Sequence, residues 1–141
     1  MTDHIQNPSK LLRPSSVAIV GASAKEGSFS QNLLKATQSL GFGGDIFLVN
    51  PRYESINGQP CYPSIAALPK TPDNVLYAVA DQRLVPALEE AAAAGAGGGV
   101  IFGRAHSDEG DGHGIQDAIR TIGRSAGMSI CGANCMGFIS L

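Results

Sequence analysis

What most constrains this chain is a hydrophobic pattern that changes period again and again. Short runs of consecutive apolar residues alternate with stretches whose apolar residues recur at helical spacing. Unbroken apolar runs suit strands covered on both faces, and their alternation with amphipathic helices builds a parallel sheet from βα units. Val17-Ala18-Ile19-Val20 reads as the first strand, ending at Gly21. Phe29, Leu33, Leu34, Thr37 and Leu40 then mark a helix that Gly41 stops. A turn through Gly43-Gly44-Asp45 leads to a second strand, Ile46-Phe47-Leu48-Val49, which breaks off at Asn50-Pro51. Residues 53–72 weaken into an irregular connection, with one helical turn from Ser64 to Leu68 stopped by Pro69.

Residues 75–80 give a third strand, and residues 84–94 a helix with Pro86 in its first turn and Gly95 at its end. The glycine-rich run over 91–99 reads as a helix end and a turn whose small residues let helix and sheet approach closely. Residues 99–102 form a fourth strand. Ile115, Ala118, Ile119 and Ile122 form a helical stripe, residues 128–131 a fifth strand and Phe138-Ile139 a short sixth. The pattern predicts an α/β fold: a doubly wound, mostly parallel sheet of five to six strands with helices on both faces.

With 141 residues, 43% of them hydrophobic and 16% charged, the chain has the length of one domain and enough apolar side chains for a core. Residues 1–10 read as a flexible N-terminal segment and residues 11–141 as the domain. Met136-Gly137-Phe138-Ile139-Ser140-Leu141 is apolar to its last residue, so the domain is expected to be the first of a longer protein. A net charge of -2 removes the bulk electrostatic case for nucleic acid or an anionic membrane. No apolar stretch approaches the roughly 20 residues of a membrane span. Cys61, Cys131 and Cys135 are too few for a disulfide framework and read as reduced thiols in the cytoplasm.

In a doubly wound sheet, ligands bind beyond the carboxyl ends of the strands, where the strand order reverses. The first loop there, Gly21-Ala22-Ser23-Ala24-Lys25-Glu26-Gly27, reads as a phosphate cradle. Its glycines permit tight turns, the Ser23 hydroxyl can donate to a phosphate oxygen, and the following helix start favours negative charge. A plain βα turn is the alternative. At the end of the second strand, a nucleotide-binding domain selecting NAD would carry Asp or Glu for the ribose hydroxyl. Asn50-Pro51-Arg52 stands there instead, offering a guanidinium suited to a phosphorylated ribose, either the 2'-phosphate of NADP or the 3'-phosphate of coenzyme A. Arg52 as a mere surface charge is the competing reading, and Lys25 carries the same ambiguity.

His106-Ser107-Asp108-Glu109-Gly110-Asp111-Gly112-His113 is rich in metal-capable side chains, but its spacing fits no zinc or EF-hand pattern and it reads as a solvated loop. Cys131 and Cys135 flank a turn without the spacing of a redox pair and read as structural thiols, while Asn134 between them sits where it can orient a ligand.

Several stretches, in this order, resemble one family. They are Leu11-Leu12-Arg13-Pro14-Ser15-Ser16-Val17-Ala18-Ile19-Val20-Gly21-Ala22-Ser23, then Val49-Asn50-Pro51-Arg52, Tyr62-Pro63-Ser64 with Leu68-Pro69, and Gly132-Ala133-Asn134-Cys135-Met136-Gly137. Together they look like the N-terminal CoA-binding domain of NDP-forming acyl-CoA synthetases, relatives of the succinyl-CoA synthetase alpha subunit. The resemblance implies a Rossmann-like domain that binds coenzyme A or acyl-CoA. It implies a phosphate loop at Gly21, Ala22, Ser23, Lys25 and Gly27, an anion contact at Asn50, Pro51 and Arg52, and an adenine-side wall near Val79, Ala80 and Asp81. A further loop would fall on Phe102, Gly103 and Arg104, and a terminal contact on Asn134. The chain departs from the family at Ala80-Asp81, at Gly103-Arg104-Ala105 and at Ala133. In such enzymes ATP, ADP and Mg are handled by phosphohistidine and ATP-grasp domains, in the same or a partner chain. The isolated domain is therefore expected to bind CoA and catalyse nothing. A stand-alone CoA-binding module, an NADP-binding oxidoreductase fragment and fusion to an acetyltransferase domain are the alternatives.

Overall fold

A computed structural model describes residues 8–103 and 114–132. Helix α1 (Ser9–Leu12) leads into β1 (Ser16–Val20), α2 (Phe29–Ser39) and β2 (Asp45–Val49). Two short strands follow, β3 (Ser55–Ile56) and β4 (Gln59–Tyr62), then a 3-10 turn (Ile65–Ala67). The chain continues through β5 (Asn74–Tyr77), α3 (Asp81–Ala94), β6 (Gly98–Ile101), α4 (Gly114–Ala126) and β7 (Ser129–Cys131).

These strands form one seven-stranded sheet in the order β3-β4-β2-β1-β5-β6-β7. All pairs are parallel except β3 with β4. Numbered by their order in the chain, the six parallel strands run 3-2-1-4-5-6, the doubly wound Rossmann order. Five of them overlap the expected strands, β5 ending at Tyr77 rather than at residue 80. The sixth is β4, from within the stretch expected to be irregular, while Phe138-Ile139 lies outside the described residues. Asn57 and Gly58 take φ of 51° and 79° and close the β3–β4 hairpin, a turn whose backbone needs both residues left-handed.

Strand periodicity sorts the core into two layers. Ala18, Val49, Val75, Tyr77 and Ile101 pack with Leu84, Leu88 and Ala91 of α3 and Ile119 of α4. Ile19, Leu48, Leu76 and Val100 point the other way, toward Leu33 and Leu34 of α2 and Leu11 of α1. Burial on both faces accounts for strands that read as unbroken apolar runs.

The run 91–99 resolves as a helix end and a turn, as expected: α3 stops at Ala94 and Gly95 takes φ of 90°. The element that approaches the sheet there is α1. A Cβ on Gly98 would lie 2.9 Å from the Leu11 Cα, so only glycine lets that helix rest on β6. One helix boundary differs from expectation. Helix α3 begins at Asp81, three residues before Leu84, which moves Pro86 from the first turn to the second. Pro86 has no N–H for the carbonyl of Gln82, and the helix tolerates this only near its start.

Candidate functional site

The chain runs outward from β1 through β2 to β4, then returns past β1 to β5, so the strand order reverses between β1 and β5. Gly21 stands at that point. Its N–H and that of Ala22 both donate to the Val49 carbonyl, at 3.0 and 3.3 Å, which turns the chain off the strand. Gly21 takes φ of 89°, and a Cβ there would lie 2.2 Å from the Ala78 carbonyl oxygen at the end of β5. Conformation and space both demand glycine, and the two strand ends meet backbone to backbone.

The loop beyond is held by its own polar groups. The Ser23 Oγ accepts from the Lys25 N–H at 3.0 Å, which leaves the hydroxyl hydrogen to donate outward. Gln31 Nε2 donates to the Ser23 carbonyl at 2.9 Å, and the Ser28 Oγ caps α2 by accepting from the Gln31 N–H at 3.3 Å. Across from this loop, Asn50 Nδ2 donates to the Ala22 carbonyl at 2.7 Å and Asn50 Oδ1 accepts from the Arg52 N–H at 2.9 Å. One side chain thereby couples the first loop to the arginine that follows β2.

A cavity of about 390 Å³ opens on the α3 side of these strand ends, a size ordinary for a small-molecule site. Its lining includes Gly21, Asn50, Pro51, Arg52 and Val79 from the expected set, together with Ser64, Arg83 and Glu90. Among the described residues neither Arg52 nor Arg83 has a carboxylate within ion-pair distance. Glu90 is committed elsewhere: its Oε1 accepts from the N–H groups of Ile65 and Ala66 and holds the 3-10 turn against α3.

Other expected residues lie around this cavity rather than in it. Ala22 and Ser23 face α2, beside Ser30, Gln31 and Leu34. Lys25 and Gly27 are exposed along the loop, and Ala80 is exposed as the cap residue of α3. Gly103 sits so close to Asp81 that a Cβ would lie 3.0 Å from its Oδ1, which brings together the two stretches expected on the adenine side. The Phe102 ring meets Phe29 edge-on with centroids 5.0 Å apart, joining the loop after β6 to the start of α2. Arg104 and Asn134 lie outside the described residues, as do Cys135 and the stretch His106 to His113. Among the described residues no cluster of His, Cys, Asp or Glu suits a metal, and no helix is long and apolar enough to cross a membrane.

Residues 15–140 match the family described as CoA binding domain. The chain belongs to that family. An ADP-forming acetate–CoA ligase from Archaeoglobus fulgidus is 30% identical over 132 residues, which is 93% of this chain and 19% of the relative. This CoA-binding domain therefore spans about a fifth of that curated relative's length. The apo structure of a dinucleotide-forming acetyl-coenzyme A synthetase from Ca. Korarchaeum cryptofilum shares its fold at a TM-score of 0.85 and 24% identity, over 94% of this chain and 29% of that one. A hypothetical protein from Pyrococcus horikoshii matches at a TM-score of 0.73 and 27% identity, over 89% of this chain and 81% of its own.

The donor set suits such a domain: a glycine that clears space at the switch point, a serine hydroxyl and unpaired guanidinium groups are what a phosphate-rich ligand needs. Arg83 and Ser64 received no role from sequence alone. Ser64 sits in the Tyr62-Pro63-Ser64 stretch of the family resemblance, whereas Arg83 falls just before the expected helix start. Only the observed start at Asp81 puts this cation in a first helical turn, where the helix dipole disfavours it. Cys61 is buried and donates its thiol to the Asn50 carbonyl at 3.6 Å, and burial pushes the thiol pKa up. The Cys61 thiol is therefore a packed structural group behind the site.

Proposed function

We propose that this domain recognises coenzyme A for an ADP-forming acyl-CoA synthetase. In that reading Gly21, Ala22, Ser23, Lys25 and Gly27 hold the pyrophosphate, and Asn50 and Pro51 position Arg52 for the 3'-phosphate. Val79 and Ala80, with Gly103 and Arg104, border the adenine, and Asn134 lies toward the thiol end. CoA, when bound, supplies the thiol that receives the acyl group. ATP, ADP and Mg belong to phosphohistidine and ATP-grasp regions in the same or a partner chain, so the isolated domain binds and does not catalyse.

The observation that carries this reading is the cavity at the switch point, lined by Gly21 and by an Arg52 that has no ion pair among the described residues. Calorimetric titration with CoA, dephospho-CoA and NADPH tests it. CoA is expected to bind, and dephospho-CoA more weakly by a factor of about 10 to 100, because charge-assisted contacts worth roughly 1.5 to 3 kcal/mol are lost. Tighter binding of NADPH than of CoA would move the chain to the oxidoreductase reading. Ser23→Glu is expected to abolish CoA binding with an unchanged circular dichroism spectrum, and retained binding would place the pyrophosphate elsewhere.

A stand-alone CoA-binding module is the second reading, favoured by the Pyrococcus horikoshii protein, most of whose own length this domain covers. An ATP-grasp region encoded beyond residue 141 would support the synthetase, and a stop codon the module.

A further inference from the structure

Two arginines, rather than one, border the cavity. Arg52 follows β2 and Arg83 lies in the first turn of α3, just after β5. Strands β2 and β5 flank β1, so their ends stand two strand spacings apart, about 10 Å, with Gly21 between them. Both arginines therefore line one cavity, from chain segments that lie on either side of Gly21.

Helix stability gives Arg83 no reason to be there. A cation in the first turn opposes the helix dipole. The helical neighbours that could offset it, at three and four residues on either side, are Val79, Ala80, Pro86 and Ala87, none of them charged. Glu90 shares the helix face and the cavity but is bonded to the backbone of Ile65 and Ala66. Arg83 is thus an exposed cation on the cavity wall with no carboxylate within ion-pair distance among the described residues, which leaves it available to an anionic ligand.

We propose that Arg83 is a specificity residue that, opposite Arg52, grips a single ribose phosphomonoester. This rests on the CoA reading, in which that group is the 3'-phosphate. A dianionic phosphate presents enough oxygens for two planar guanidinium forks, and the two arginines together favour a phosphorylated ribose over one with a free hydroxyl.

The test is calorimetric titration of the whole chain and of Arg83→Gln, Arg52→Gln and the double variant with CoA and with dephospho-CoA. Arg83→Gln is expected to lower CoA affinity about tenfold and to leave dephospho-CoA affinity within about twofold. In the double variant the two ligands should bind equally well. Arg83→Lys, which keeps the charge and loses the fork, should fall between Arg83→Gln and the unaltered chain. Equal weakening of both ligands by Arg83→Gln, or no weakening of either, overturns the proposal. Absence of CoA binding to the unaltered chain sinks the parent reading and this one together. CoA binding that is indifferent to Arg83 sinks this one alone.

Discussion

The side-chain amide of Asn50 donates to the backbone carbonyl of Ala22 at 2.7 Å, across the boundary between the loops after β2 and β1. The same side chain accepts from the Arg52 N–H, so the glycine loop and the arginine are set relative to each other by one residue. Asn50→Ala should remove both bonds while leaving the strands in place. A stability loss of about 1–2 kcal/mol in urea denaturation is expected, together with roughly tenfold weaker CoA binding in calorimetry. Asn50→Asp keeps the acceptor for Arg52 but turns a carboxylate toward the Ala22 carbonyl, and should bind CoA more weakly than Asn50→Ala. Unchanged affinity in both variants would show that the two loops are positioned independently.

The two glycines that bound the loop are needed for different reasons, and substitution separates them. Gly21 has a left-handed φ and the Ala78 carbonyl where a Cβ would go, whereas Gly27 has a φ of 77° with nothing within 4 Å. Gly27→Ala therefore meets only backbone strain and should cost about 1 kcal/mol. Gly21→Ala adds a steric clash with β5 and should cost about 3 kcal/mol or more. Similar denaturation midpoints for the two variants would mean that the end of β5 shifts freely to make room.

How much of this was legible in the sequence depended on burial. Strands β1, β2, β5, β6 and β7 are covered on both faces, so each announces itself as an apolar run. Strand β4 reads Gln59-Pro60-Cys61-Tyr62, and a proline beside a glutamine carries no such signature. What did mark it was Asn57-Gly58, the dipeptide of a tight hairpin, which signals β3 and β4 by turn chemistry rather than by hydrophobicity. The start of α3 was hidden for a related reason, since Asp81, Gln82 and Arg83 show no apolar period and the stripe begins only at Leu84. That shift of three residues is what puts Arg83 in the first turn of α3, on the cavity wall. The glycine loop and Arg52 were readable because their chemistry lies in local sequence, whereas the cavity wall assembled from Ser64, Arg83 and Glu90 exists only once α3 and the 3-10 turn meet.

Two buried groups set a pH dependence at the alkaline end. Burial, with a smaller contribution from the Glu90 charge, holds the Tyr77 phenol pKa above its ordinary 10.0, and burial holds the Cys61 thiol above its ordinary 9.0. Above those ordinary values the unfolded chain releases the protons while the folded chain keeps them. The unfolded state then binds fewer protons, so stability is full below about pH 9 and falls as pH rises beyond it. Tyr77→Phe should flatten the part of the decline above about pH 10. The Tyr77 hydroxyl is buried without a hydrogen-bond partner among the described residues, so the same variant should be neutral or more stable by about 1 kcal/mol at pH 7. A loss of more than about 2 kcal/mol at pH 7 would reveal a partner for that hydroxyl.

Glu90 puts a negative charge on the wall of a cavity assigned to an anionic ligand, and its hydrogen bonds explain why the fold keeps it there. The carboxylate accepts from Ile65 and Ala66, fastening the 3-10 turn to α3 and so fixing the wall that also carries Ser64. Its role is that of an acceptor, and the charge itself opposes phosphate. Glu90→Gln retains an acceptor oxygen and removes the charge, so it should cost under about 1 kcal/mol of stability and raise CoA affinity by a few-fold, with the gain shrinking as salt screens the repulsion. Glu90→Ala leaves both N–H groups without their partner and should cost about 1–3 kcal/mol while weakening CoA binding, because the turn loses its anchor. Weaker binding in Glu90→Gln, measured at low salt, would mean that the carboxylate itself receives a hydrogen bond from the ligand.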